Sequence, residues 1–218
     1  IIDACESGTF LDDLYAPAEY ADKRLVIGST SPGENAYFVV EGSVSFSNYF
    51  WTNIFNGESV GTSFSVAREA LAQTYEYQNP LLEGNGNNVA NETADFTAAN
   101  VTYLGNGTDQ FNSAPVIAAV SPNQTIDGTS AAMLFAEGVT DADGIARVWG
   151  VIRPPDFTPA SAGNPITGLP AVDLAPVGGD RFEGTYTSFT TAGTYTILMY
   201  ALDSIGNISV PKVTSVTV

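Results

Sequence analysis

Histidine is absent from the 218-residue chain, cysteine occurs once, and Lys plus Arg number 7 against 24 Asp plus Glu. Each scarcity excludes something. Without histidine, nothing in this chain can play the part of an imidazole base, so chemistry that needs one is not completed by these residues alone. The single cysteine, Cys5, rules out an intrachain disulfide and leaves a reactive thiol or a buried passenger. A formal net charge of -17 repels phosphate backbones, which are bound by clustered cations, so nucleic acid is not expected as a partner. An anionic membrane surface is not expected for the same reason. No apolar run approaches the ~18 residues that would read as a transmembrane helix.

What is present is a chain that is 44% hydrophobic but only 14% Asp, Glu, Lys and Arg, so its surface must be polar mainly through Asn, Ser, Thr and Gly. That composition resembles an extracellular or cell-surface protein. Sequons start at Asn91, Asn100, Asn106, Asn123 and Asn207, though a chain so rich in Asn and Thr produces such triplets by chance. The sequence opens on what reads as a buried strand, Ile1 to Ala4, and the expectation is that further sequence precedes it.

Strand and helix patterns alternate in the first part. After Ile1–Ala4, Thr9 and Asp12 have capping-box spacing, and Arg24–Ser29 reads as a buried strand. Ser31 to Glu34 is turn chemistry. Phe46, Tyr49, Phe50, Ile54 and Phe55 recur at helical spacing from Ser45 to Phe55, with Gly57 as the stop. Val60, Phe64, Ala67, Leu71 and Tyr75 make a second stripe between Ser59 and Tyr77, and Pro80 prevents continuation. Such alternation predicts an α/β unit with a parallel sheet over residues 1–83. Residues 84–113 read as a linker or long loop, with a short strand at Val101–Leu104. From 114 to 218 short β-rich runs separated by turn clusters predict an all-β sandwich.

Cys5 stands between the first apolar run and the first helix pattern, where a parallel sheet places its ligand crevice and a helix N-terminus favours a thiolate. Ser7 and Gly8 are expected to permit a tight turn and close approach of a substrate backbone. The run Ile2-Asp3-Ala4-Cys5-Glu6-Ser7-Gly8 resembles the nucleophile segment of legumain-like cysteine peptidases, within the caspase-like clan. The similarity continues through Leu25–Thr30, Glu34-Asn35-Ala36-Tyr37, the aromatic helix from Ser45 and Gln78-Asn79-Pro80, covering roughly residues 1–83. It implies an incomplete caspase-like parallel sheet with helices, Cys5 as nucleophile with its backbone N–H in the oxyanion hole, and Asp3, Ser29 and Thr30 at the primary specificity pocket. Val44 stands where legumains carry an acidic residue, so a preference for Asn at the cleavage site is not implied. In that family the base is a histidine from sequence before the nucleophile strand. The resemblance therefore implies a companion chain or N-terminal half, a peptide or protein substrate, and open sheet edges that invite pairing, including with a second copy.

No cofactor is expected. Calcium is the one metal considered. Glu83–Asn88 with Glu92 and Asp95 matches a calcium loop poorly, and Asp141-Ala142-Asp143-Gly144 reads as a turn before a strand. Trp149 is expected in the sandwich core rather than on a sugar-binding face. The C-terminal region resembles immunoglobulin-like modules appended to bacterial secreted peptidases, without the cysteine pair of antibody domains. Two functions follow as expectations. One is the nucleophile-bearing part of a secreted endopeptidase, inactive alone. The other is a catalytically silent structural, filament-forming or adhesive protein built on the same parts.

Overall fold

Three consecutive residues, Val26–Gly28, are buried together and form β1. In the computed structural model, which describes residues 1–74, 78–105, 113–159 and 161–218, β1 pairs antiparallel with β2 (Leu81–Glu83), Val26 opposite Glu83. On its other side β1 meets a single parallel bridge, Ile2 to Gly28. The Ile2 N–H donates to the Ile27 carbonyl at 2.8 Å, and the Ser29 N–H donates to the Ile2 carbonyl at 3.0 Å. The predicted parallel α/β sheet is thus corrected: the extended pairing of β1 is antiparallel, and the strand expected over Ile1–Ala4 contributes one bridge. The reason is local. Beyond Ile2 the Ser29 and Thr30 hydroxyls take the backbone groups of Ala4, and the chain turns at Glu6 in the left-handed region (φ 56).

A 3-10 turn over Ser7–Phe10 leads into α1 (Leu11–Leu14). Thr9, expected as an N-cap, lies inside that turn, and its hydroxyl donates back to the Glu6 carbonyl at 2.8 Å. The helix α2 (Phe46–Phe55) starts where expected: the Ser45 hydroxyl accepts from the Asn48 N–H, and Gly57 leaves the helix at φ 92. In α3 (Val60–Thr74) the expected stripe of Val60, Phe64, Ala67 and Leu71 is buried. Tyr75, the end of the predicted helix at Tyr77, and the sequon at Asn106 lie outside the described residues.

The stretch expected as linker contains α4 (Asp95–Ala99), and the Phe96 ring lies 5.9 Å from that of Phe64. No strand forms at Val101–Leu104; instead the Thr102 carbonyl accepts from the Val60 N–H at 2.9 Å. Five residues are too few to show helical periodicity, which is why the pattern gave no helix there. By contacts the chain divides into two compact units, residues 1–112 with 159–167, and residues 113–158 with 168–218. Among the described residues no helix is long and apolar enough to cross a membrane.

The second unit is all-β. Its strands are β3 (Val116–Val120), β4 (Gln124–Thr125), β5 (Ala132–Thr140), β6 (Ile145–Arg153), β7 (Ala171–Gly178), β8 (Arg181–Tyr186), β9 (Thr194–Asp203) and β10 (Lys212–Thr217). They run in the order β3-β5-β8-β7-β6-β9-β10-β4, antiparallel except for the last pair. β7 pairs with β6 through Ala171–Leu174 and with β8 from Ala175 on, so it passes between the two sheets. Without the short β4, this is the A-B-E-D and C-F-G order of an immunoglobulin-like sandwich. The inward residues, among them Ile117, Leu134, Val148, Ile152, Ile197, Met199 and Val216, form one buried cluster.

A tyrosine corner supports the assignment. Tyr195, at the start of β9, accepts a hydrogen bond on its phenolic oxygen from the Thr191 N–H at 2.7 Å. Trp149 is fully buried, as expected, but outside the inter-sheet cluster. It alternates with Val148 to the opposite face of β6, where it stacks on Tyr200 with ring centroids 5.4 Å apart. It offers no exposed platform to a sugar. Tyr195→Phe should lower the stability of the sandwich by about 0.5–1.5 kcal/mol, because it strands the Thr191 N–H; urea unfolding with an unchanged m-value checks this.

Candidate functional site

The Cys5 turn is held by hydroxyls rather than by a ladder. The Ser7 N–H donates to Thr30 Oγ1 at 2.9 Å, and the Thr30 N–H donates to Ser7 Oγ at 3.1 Å. The two hydroxyl oxygens lie 3.2 Å apart, and Thr30 Oγ1 also donates to the Ala4 carbonyl at 3.0 Å. Ser29 Oγ accepts from the Ala4 N–H at 3.2 Å. Ser7, Ser29 and Thr30 are all fully buried. Their hydroxyls are therefore spent inside the protein: Ser29 and Thr30, expected along a specificity pocket, fix the loop that carries Cys5.

Gly8 is needed for this clasp. A Cβ there would come within 2.7 Å of the Thr30 carbonyl oxygen and 2.8 Å of Pro32 Cδ. The close approach expected at Ser7 and Gly8 is thus made by the protein's own chain.

Cys5 itself is half-buried. The donor at its sulfur is the Ala36 N–H, 3.3 Å away, and among the described residues the Cys5 N–H makes no hydrogen bond. The elements after Cys5 are four-residue turns, so the helix N-terminus expected to act on the thiol is replaced by this amide from a distant segment. The sequence places Ala36 in the run Glu34–Tyr37 that carries the resemblance but gives no sign of this role, since a backbone donor carries no side-chain signal.

Around the turn, the Glu34 carbonyl accepts from the Glu6 N–H at 2.8 Å, and the Glu34 carboxylate accepts from the N–H groups of Ser31 and Asn79, both at 2.8 Å. Buried Gln78 donates to the Ser29 carbonyl at 2.9 Å and accepts from the Tyr37 N–H at 3.1 Å. Asp3 meets the start of α2, where its Oδ2 accepts from the Ser47 N–H at 2.9 Å. A carboxylate there offsets the partial positive charge of the helix end. Among the described residues Asp3 Oδ1 is buried without a hydrogen-bond partner. Val44 is fully buried.

The acids of the calcium-loop candidate at 83–95 are engaged locally. Glu83 Oε1 accepts from the Gly86 and Asn87 N–H groups, while Asp95 accepts from those of Gly84 and Glu92. These carboxylates brace their own loop. In the sandwich, single oxygens of Asp141, Asp143 and Asp203 lie within 4.8 Å of one another and could each offer a ligand to a cation. Asp203 Oδ1 already accepts three backbone N–H groups, from Ile205, Gly206 and Asn207, which makes it the anchor of the β9–β10 turn. An apolar cavity of about 290 Å³, lined by Ile1, Leu25, Ile27, Val60, Leu104 and the cations Lys23 and Arg24, does not include Cys5.

Fold and site define a chain with a thiol-bearing unit of short helices and a minimal sheet, and an immunoglobulin-like sandwich. No family model matches it, and no curated protein matches it. Among solved structures it is similar to the fibronectin(III)-like modules of Clostridium thermocellum CbhA, at 18% identity over 46% of this chain and 96% of that one, with a TM-score of 0.29. It is also similar to the PKD domain of an M14-like peptidase from a Thermoplasmatales archaeon, at 21% identity over 49% of this chain and 96% of that one, with a TM-score of 0.31. The sandwich assignment rests on strand order and the tyrosine corner.

Thr30→Val keeps the shape of residue 30 but leaves the buried Ser7 N–H without its acceptor. It should cost the first unit about 1–3 kcal/mol, seen as a lower urea midpoint, whereas Thr30→Ser should keep most of the stability.

Proposed function

We propose that the first unit is the nucleophile-bearing portion of an extracellular, legumain-like cysteine peptidase, completed by a histidine on a companion polypeptide segment. The observation that supports this best is convergence. The segments behind the resemblance, Ile2–Gly8, Leu25–Thr30, Glu34–Tyr37, the helix from Ser45 and Gln78–Pro80, lie far apart in sequence and are joined by hydrogen bonds around Cys5 and Asp3.

In this reading the companion imidazole takes the Cys5 thiol proton, and Sγ attacks the carbonyl carbon of the scissile peptide. The carbonyl oxygen gains the negative charge beside the free Cys5 N–H, which donates to it. Collapse expels the amine with the proton carried by the imidazole, and water then hydrolyses the thioester. Asp3, whose Oδ1 has no hydrogen-bond partner among the described residues, is the acceptor for a donor-bearing substrate side chain. Ser29 and Thr30 position the turn and do not touch substrate. The sandwich is an accessory for binding a surface or partner.

The test uses the chain together with its companion segment. Cys5→Ala should lower peptide hydrolysis by at least about 10³-fold, as expected for loss of a covalent nucleophile. A thiol-directed peptide electrophile should label Cys5 and no other residue. Unchanged hydrolysis in Cys5→Ala would sink the assignment and leave the silent structural reading.

A further inference from the structure

One segment of the chain is out of place. Residues 159–167 connect β6 to β7 of the sandwich, yet by their contacts they belong to the first unit. Ile166 lies beside Tyr37 in a parallel bridge. Its N–H donates to the Ala36 carbonyl and its carbonyl accepts from the Phe38 N–H, both at 2.9 Å. Its side chain is buried, with 6% exposed. The amide of Ala36 that points at Cys5 Sγ thus belongs to the same residue whose carbonyl holds Ile166.

Tyr37 turns its own N–H the other way, to Gln78. Ala36–Phe38 therefore presents its outward backbone groups as one edge, and that edge begins at the thiol. An unpaired edge of this kind accepts an extended peptide by main-chain hydrogen bonding, with side-chain pockets giving selectivity. Here a stretch of this same chain occupies it. The hold is slight: one bridge residue, with Pro165 before it, which has no N–H to extend the pairing. Gly163 (φ 91) and the turn closed by the Asn164 N–H on the Ser161 carbonyl bring the segment to the edge.

We propose that the Ala36–Phe38 edge is the track on which extended peptides dock beside Cys5, and that Ser161–Thr167 is a built-in competitor for it, its preferred occupant being a peptide with an aliphatic residue at the place of Ile166. This rests on the reading of Cys5 as a nucleophile for peptides, but the occupancy of the edge is tested separately.

Two measurements on the full chain do this, comparing it with Ile166→Asp. First, amide hydrogen exchange at Phe38 should accelerate at least about tenfold in the variant, and an excess of the synthetic peptide Ser161–Thr167 should restore protection. Exchange at Val148 and Ile197 in the sandwich should be unchanged. Second, the rate of Cys5 labelling by a peptide electrophile should rise at least about tenfold while labelling by iodoacetamide changes less than about twofold. Unaltered Phe38 exchange would overturn the strap outright. Equal acceleration of both reagents would overturn it as well, since that is general exposure of the thiol. So would altered exchange with no change in the ratio of the two labelling rates. The peptidase reading instead stands or falls on hydrolysis by Cys5→Ala, so the two failures are distinguishable. Ile166→Val, which keeps an aliphatic residue at the bridge, should behave as the parent chain.

Discussion

The mutual hydrogen bonding of Ser7 and Thr30 is the constraint on which the first unit depends. Two side chains, each fully buried, bond to each other's backbone N–H, so neither can leave without stranding a donor inside the protein. Everything near Cys5 is referred to that pair. It places Gly8 against the Thr30 carbonyl, where only a residue without Cβ fits, and brings Ala4 under the hydroxyls of residues 29 and 30. The thiol is then presented on a turn whose two sides are both tied to the end of β1. A site built this way does not need a long sheet to be rigid.

That economy explains what could and could not be read from the sequence. The helices α2 and α3 were legible because their apolar stripes run for two turns or more, and Ser45 and Gly57 mark the limits of α2. The sandwich was legible as short alternating runs between turns, and its missing cysteine pair was visible at once. The parallel sheet was overstated, because Ile1–Ala4 has the composition of a strand while hydroxyls, which composition does not weigh, take over its hydrogen bonds after one residue. Thr9 has the spacing of a cap yet sits inside a turn, since the left-handed Glu6 starts the turn earlier. α4 was hidden by its length, and Trp149 was placed in the correct state of burial but on the opposite face of its strand.

The candidate site was half legible. Cys5 and Asp3 were singled out by type and position; the Cys5 sulfur accepts from the Ala36 N–H and Asp3 meets the start of α2, while the roles proposed for them rest on the resemblance. Ser29 and Thr30 were singled out as pocket lining, and their bonds to the backbone of Ala4 and Ser7 are a contact that residue type alone does not reveal. Ala36 lay within the run Glu34–Tyr37 that carries the resemblance but without a role, and Ile166 left no trace, because both act through backbone groups, and a residue that works through its peptide unit looks the same in sequence as one that does nothing.

The position of Ser161–Thr167 also sets an order of events during synthesis. The edge at Ala36–Phe38 leaves the ribosome well over a hundred residues before the segment that covers it, a delay of roughly ten seconds or so at ordinary elongation rates. Until β6 of the sandwich has been made, the segment that covers this edge does not yet exist. The two units therefore cannot be separated at a single point in the chain: a cut after residue 112 leaves the first unit without one of its own parts.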